Sequence, residues 1–386
     1  MKRFFLLIGA TVHIFSLSAQ DFRISGRSDT TVMLNSGTGD APEFSYGIEE
    51  YVNLRIQTTL GEYATFYGAF NLIASSGIPS QNASALGQLN SGVTGMNTSS
   101  FIFGDNYTSA VELERLYIRI NSDFADLDLG LMRLAFGFAT VFGPMDFFNY
   151  RNPLFPDARP RGILGYSAAF YPRGLKVTTF GTAPVNPLLN AGFRFGLSAE
   201  QHWRWGSVQG LYSYETPKEY SSQGVHRFGA SMKIDWKCGI VSELLYALNA
   251  DSSLNGLAAT VGADYSMFDG KLYLLAEYLF NGDGSSTARN AENIGGFLNN
   301  HYLYASGTYS ITDYTTVSLA VLSSLSDGSL APIVSASHEL FQGFNLSCSA
   351  RIPLDTRDPG ELGPTPPQSN NVGSRIIVNL KAQLKF

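Results

Sequence analysis

The sequence predicts an all-β fold, a transmembrane antiparallel β-barrel of about eighteen strands, with sixteen as the alternative count. Three observations carry this. Segments of about ten residues alternate apolar and polar positions along most of the chain. The connections between them alternate between tight turns and longer stretches rich in Gly, Ser and Asn. Beyond the N-terminal segment no continuous apolar run is long enough for a membrane helix, so a chain that enters a bilayer must satisfy its backbone in a closed barrel.

In chain order, "MKRFFLLIGATVHIFSLSAQ" places Lys2 and Arg3 before an apolar run from Phe4 to Phe15 and then small residues. That layout predicts a secretory signal over 1–19, cleaved after Ser18 or Ala19, and therefore export. Residues 20–386 then form a single barrel domain, because no composition break, Pro-rich linker or charge run divides them.

The strands follow. "NLRIQTTL" sets Leu54, Ile56 and Leu60 against Asn53, Arg55, Gln57 and Thr59. "RFGASMKIDW" sets Phe228, Ala230, Met232, Ile234 and Trp236 against Arg227, Ser231, Lys233 and Asp235. "FNLSCSARI" sets Phe344, Leu346, Cys348, Ala350 and Ile352 against Asn345, Ser347, Ser349 and Arg351. The last segment, "RIIVNLKAQLKF", keeps strict period two up to Phe386. Segments 175–181 and 208–214 carry the pattern weakly, which is why sixteen strands is the alternative.

Tight turns are signalled at Gly61-Glu62, Asn121-Ser122-Asp123, Pro172-Arg173-Gly174, Arg204-Trp205-Gly206, Trp236-Lys237-Cys238-Gly239, Asp269-Gly270, Thr312-Asp313 and Gln342-Gly343. Longer stretches span 75–108, 137–162, 283–299 and 354–372. Short turns at one end and long loops at the other are the asymmetry of outer-membrane barrels. A soluble, secreted sandwich or propeller shows the same alternation within each strand. The loop asymmetry, the terminal aromatic, and aromatics near segment ends such as Tyr166, Tyr171, Trp205, Trp236, Tyr265 and Tyr278 favour the membrane barrel.

Composition agrees. Charged residues make up only 15%, aromatics 13%, and the net charge is -6, which leaves no concentrated basic face for nucleic acid. The two cysteines, Cys238 and Cys348, are too few for a disulfide framework and are expected to be free. No His or Cys pair has metal-ligand spacing and no phosphate-binding glycine loop follows a strand, so no metal or cofactor is expected.

Two stretches resemble known proteins. The terminal strand resembles the C-terminal signal of Gram-negative outer-membrane proteins, which implies that Phe386 is read by the barrel-assembly machinery. Residues 111 to 165 resemble the early part of several Gram-negative porin families through Glu114, Arg115 and Tyr117, then Asp126 to Gly130, then Gly143, Pro144, Asp146, Asn152 and Pro153. Leu131-Met132-Arg133 and Phe136-Gly137 depart from the families' Arg-Gln and Trp-Gly. The resemblance implies an outer-membrane location among lipids and lipopolysaccharide, and a homotrimer as one form of assembly. By position it also implies that 137–162 is a loop folded inward.

Such a loop would set Asp146, Arg151, Asp157, Arg159 and Arg161 across a pore constriction, where charge of both signs orients polar solutes. The plain alternative is a solvated surface loop shaped by its prolines. Strand phase independently puts Arg55, Tyr67, Glu112, Arg119, Arg194, Arg227, Lys233 and Arg351 on the lumen wall, with Asp128, Glu200, Asp235, Asp264 and Glu277. Charges must point inward, because at mid-membrane on the lipid face a basic one costs roughly 2–4 kcal/mol. Slips of the alternation near Arg115 and Arg133 predict bulges.

The expected function is a porin: a water-filled channel for passive diffusion of small polar or charged solutes or ions. The alternatives are a substrate-specific or gated transporter for sugars or hydrophobic compounds, or a structural or adhesive barrel. An enzyme is not expected. No G-x-S-x-G elbow occurs, and His338 falls near a short turn, where a lipase of the external leaflet would not place its site.

Overall fold

The structure, a computed structural model, describes residues 19–37, 44–77, 98–102, 107–149, 153–154, 162–183, 192–217, 224–249, 255–282, 297–355, 360–363 and 374–386. In chain order the strands are β1 (Ala19–Gly37), β2 (Phe44–Leu60), β3 (Ala64–Gly77), β4 (Thr98–Ile102), β5 (Tyr107–Asn121), β6 (Ala125–Met132), β7 (Ile163–Phe170), β8 (Leu175–Thr182), β9 (Arg194–Trp203), β10 (Gly206–Glu215), β11 (Val225–Asp235), β12 (Gly239–Asn249), β13 (Asn255–Met267), β14 (Leu272–Asn281), β15 (His301–Thr312), β16 (Thr315–Ser324), β17 (Leu330–Phe341), β18 (Phe344–Arg351) and β19 (Ser374–Lys385). All but β4 form a closed antiparallel barrel of eighteen strands, in which β3 pairs with β5 and β1 with β19. The weak segments are β8 and β10, so the alternative of sixteen is set aside.

Every one of the tight-turn signals lies at a strand-to-strand turn, and both chain ends of the barrel lie on that same side. β4 was not expected. It falls within the 75–108 stretch and pairs with β5 from Thr98↔Glu112 to Ile102↔Thr108, the half that β6 leaves free by pairing only with Leu116 to Asn121. Its sequence TSSFI is apolar only at the end, so no alternation marks it.

The seam between first and last strands is closed by the terminal residue. Phe386 donates its N–H to the Gly26 carbonyl at 3.0 Å and accepts the Gly26 N–H at 2.7 Å. Its ring lies against Gly26 so closely that a Cβ there would come within 2.8 Å of a ring carbon. Only glycine admits the ring without displacement.

Register sorts the side chains by face. Outward positions carry Phe22, Ile24, Leu72, Phe195, Leu244, Leu319, Val334 and Leu380, all exposed where lipid would lie. The predicted wall residues have the opposite phase. Glu50 is the exception, an outward carboxylate that accepts a 2.8 Å hydrogen bond from Thr30 on β1. A register shift between Ala69 and Phe70, opposite Arg115 and Leu113, is the bulge expected near Arg115. The slip near Arg133 has another cause, because β6 has already ended at Met132.

Candidate functional site

After Met132 the chain crosses the lumen. β6 and β14 are eight steps apart around the ring of eighteen, and the segment that begins at β6 reaches β14. Gln209 Oε1 on β10 accepts the Gly137 N–H at 2.6 Å, and Ser231 Oγ on β11 accepts that of Phe138 at 3.2 Å. Glu243 on β12 accepts from Phe138, from Ala139 at 2.6 Å and from Met145 at 3.3 Å. Glu277 on β14 accepts from Thr140 at 2.7 Å, Val141 at 2.9 Å and Phe142 at 2.8 Å. Two wall carboxylates therefore satisfy the backbone of a segment that has no secondary structure of its own. Gly137 makes the approach feasible, since it has φ +85° and a Cβ there would overlap the Glu243 carboxylate.

Apolar packing fixes the same segment. Leu134, Phe136, Met145, Phe147 and Phe148 pack with Phe180, Leu211 and Leu245 from the wall. Val141 and Phe142 pack with Leu275, Leu279, Tyr302 and Leu322 from the wall and with Phe297 and Leu362 from other connections. Arg194 and Arg227 both hydrogen-bond Glu215 at 2.9 Å, and their guanidiniums lie 5.4 Å from the ring centroids of Phe148 and Phe147 respectively. At this level the interior is packed protein, apolar around the segment.

A second inward contact joins residues 297–300 to 360–363. Glu361 accepts the N–H of Leu298 at 2.8 Å, the N–H of Asn299 at 3.2 Å and the Tyr302 hydroxyl. Asp327 accepts the Glu361 N–H at 2.8 Å and Asn299 Nδ2 at 2.7 Å. Burial pushes the Glu361 carboxyl above its usual range. Burial pushes Asp327 up as well, but hydrogen bonds from the Glu361 and Ser329 amides and from the Ser329 and Ser324 hydroxyls outweigh it and hold that carboxyl low.

Nearer the short turns the wall is wetted. Arg55 and Gln57 are exposed, and Tyr67, Arg119, Asp128 and Lys233 are partly so. Tyr67 and Tyr117 stack with centroids 4.8 Å apart, and the Arg119 guanidinium lies 5.8 Å from both rings. Arg119 grips Asp128 with two bonds of 2.7 and 2.8 Å. Tyr171, beyond the end of β7, donates to Asp126, which with burial raises its hydroxyl pKa to about 12.

The predicted site residues divide accordingly. Arg55, Tyr67, Arg119 and Lys233 have the inward phase and are exposed or partly so. Glu112, Arg194 and Arg227 also point inward but are paired within the packed layer: Glu112 accepts from Asn71 Nδ2 at 2.9 Å, and Arg227 is only 1% exposed. Arg351 donates to the Leu154 carbonyl at 3.1 Å and so holds the crossing connection. Asp146 is buried and accepts from Asn149 Nδ2 at 2.9 Å, which shapes the segment and presents no free charge. Arg151, Asp157, Arg159 and Arg161 lie outside the described residues. Glu243 and Gln209 escaped the sequence reading, although an acid in phase with Val241, Leu245 and Ala247 is a legible anomaly. His338 has outward phase at the short-turn end and its ring meets the Thr315 hydroxyl at 2.9 Å. Cys238 and Cys348 are free.

No protein-family model and no curated protein matches the chain. Among solved structures, Acinetobacter baumannii OccAB4 is similar over 95% of this chain and 98% of its own, at 9% identity and a TM-score of 0.58. Variants of Rhodopseudomonas blastica porin align over 95% of this chain and 100% of theirs, at 13% identity and a TM-score of 0.47. At such identities the likeness to OccAB4 is one of fold, a closed antiparallel β-barrel of eighteen strands.

Proposed function

We propose that the chain is an outer-membrane porin, exported by its N-terminal signal, through which small polar or charged solutes diffuse passively. The 137–162 connection narrows the passage. The observation that carries this reading is a wetted inner wall lying beneath a segment bound to the opposite side of the lumen by Glu243 and Glu277. A barrel of about this strand number leaves an aqueous channel unless it is filled, and among the described residues the filling lies toward the long loops. In this reading the short turns are periplasmic, Phe386 is read by the assembly machinery, lipopolysaccharide and lipid meet the outward aromatics, and a homotrimer is the assembly to test. A gated, solute-specific channel is the second reading, favoured by the apolar packing around Phe136 and Phe142.

Single-channel conductance of the refolded mature chain in a planar bilayer, with the reversal potential under a salt gradient, tests both. Discrete steps whose ion selectivity changes in Arg159→Ala and Arg161→Ala variants support the narrowed open pore. Silence from heat-modifiable, folded protein overturns it in favour of the gated channel or a structural barrel.

A further inference from the structure

The wetted part of the wall is chemically uneven. Across β15 to β18 the register aligns two rows of hydroxyls: Thr308, Ser318, Ser335 and Ser349 stand opposite one another on consecutive strands, and so do Ser310, Thr316, Ser337 and Ser347. All eight have the inward phase and are partly exposed. The lattice repeats about every 4.8 Å across the strands and about every 6.8 Å along them. Cross-strand bonds of 2.7 Å between Thr316 and Ser337 and 2.6 Å between Ser318 and Ser335 fix its spacing. Each hydroxyl offers one donor and two acceptor sites, so these bonds leave capacity for a further partner.

Charge lies at the margins of this face: Lys381 stands opposite Ser347, and Glu339 and Arg351 follow Ser337 and Ser349 along their strands. Neither β15 nor β16 contains an Asp, Glu, Lys or Arg. The aromatic ring of Tyr273 borders the lattice opposite Thr308, and Asn379 borders it opposite Ser349. The wall nine steps around the ring, β6 to β9, is the reverse: it carries Asp126, Asp128, Lys176, Glu200 and His202, with Glu200 at 3.0 Å from His202 and 3.8 Å from Lys176. Over the hydroxyls of β15 and β16 an ion meets no counter-charge on those strands. A neutral polyol can exchange its bonds to water for bonds to the lattice, whose hydroxyls both donate and accept.

We propose that the β15–β18 inner face is a binding track for neutral polyhydroxylated solutes, of mono- to disaccharide size. The proposal rests on the channel reading above and names the solute class of that channel.

The test is the ion current of single channels in a planar bilayer with sucrose added. Saturable, concentration-dependent interruptions of the current are expected. In a Ser318→Ala, Ser335→Ala, Ser349→Ala variant the sucrose affinity should fall about tenfold, as the loss of several neutral hydrogen bonds implies, with salt conductance unchanged. A Lys176→Ala, His202→Ala variant of the facing wall should bind sucrose as the native chain does. A native channel that conducts salt yet shows no saturable interruption overturns the proposal, as does a triple variant with native sucrose affinity. A folded chain with no salt conductance overturns the channel reading and the proposal together.

Discussion

The two halves of the barrel interior are built from the same strands and obey different rules. Toward the long loops, inward Asn53, Asn71, Glu243, Glu277, Leu279 and Tyr302 are each at most 3% exposed. Toward the short turns, inward Arg55 and Gln57 remain exposed and the Ser and Thr rows partly so. What differs is the filling. Where inward segments occupy the lumen, the wall becomes protein interior and each polar group there needs a partner. Where water occupies it, a wall side chain is replaceable at little cost.

The sharpest way to break that comparison is Glu277→Ala. It leaves the N–H groups of Thr140, Val141 and Phe142 without their acceptor, at roughly 1–3 kcal/mol for each buried donor. Single-channel conductance should rise several-fold as the segment lifts, with the heat-modifiable barrel intact, while Glu277→Gln, which keeps an acceptor oxygen, should change it much less. Unaltered conductance in the alanine variant would mean that packing alone holds the segment.

Phe142→Ala is the next largest. It removes a ring 1% exposed that packs edge-on against Phe297 at 5.6 Å, for about 3–5 kcal/mol of local stability. Hydrogen exchange of the 137–145 amides should accelerate while amides of the barrel ladders keep their protection. Gly137→Ala follows, because the left-handed backbone at φ +85° and the overlap with Glu243 cost on the order of 1–3 kcal/mol. A smaller rise in conductance than for Glu277→Ala checks it.

Acid should tighten the second inward contact. The Glu361 carboxyl is raised by burial, so the folded state binds its proton more tightly than the unfolded state. Its contribution is complete below the ordinary carboxyl range and fades as pH rises through the raised value. Asp327, held low, stays ionised over the same window. As pH falls toward the ordinary carboxyl range, the Leu298 and Asn299 amides should gain exchange protection beyond the intrinsic rate change. Glu361→Gln should remove that gain.

The smallest effect belongs to the wetted half. Arg55 is exposed and its Nε donates to Asn53 at 2.7 Å, so Arg55→Ala should leave the melting temperature nearly unchanged, within about 0.5 kcal/mol. The reversal potential should still move toward cations, because one fixed positive charge leaves the lumen. A large loss of stability would show that this half is packed as tightly as the other.

Much of the fold was legible because a strand advertises its two faces locally. The tight turns between strands, the inward phase of Arg55 and Arg119 and the bulge at Arg115 all follow from short windows of sequence. The crossing segment was legible only by likeness, as a loop expected to fold inward. Its anchors were not legible as anchors: Glu277 was read only as a wall residue, and Glu243 was passed over. In β14, "LYLLAEYLFN" is apolar on both faces, so periodicity cannot tell inward Leu275 and Leu279 from outward Leu274 and Tyr278. Asp146, Arg194 and Arg227 were legible as polar and inward, yet whether they stay free in water depends on what meets them.

By itself, then, the sequence determined the barrel and its strand number to within two, which connections are short and which charged side chains of the alternating strands point inward, because period two and turn chemistry act over a few residues. Only the tertiary structure decided which inward side chains are wet. That depends on contacts such as Val141 to Glu277, which lie 136 residues apart in the chain and form only when the closed barrel brings opposite walls within reach of one segment.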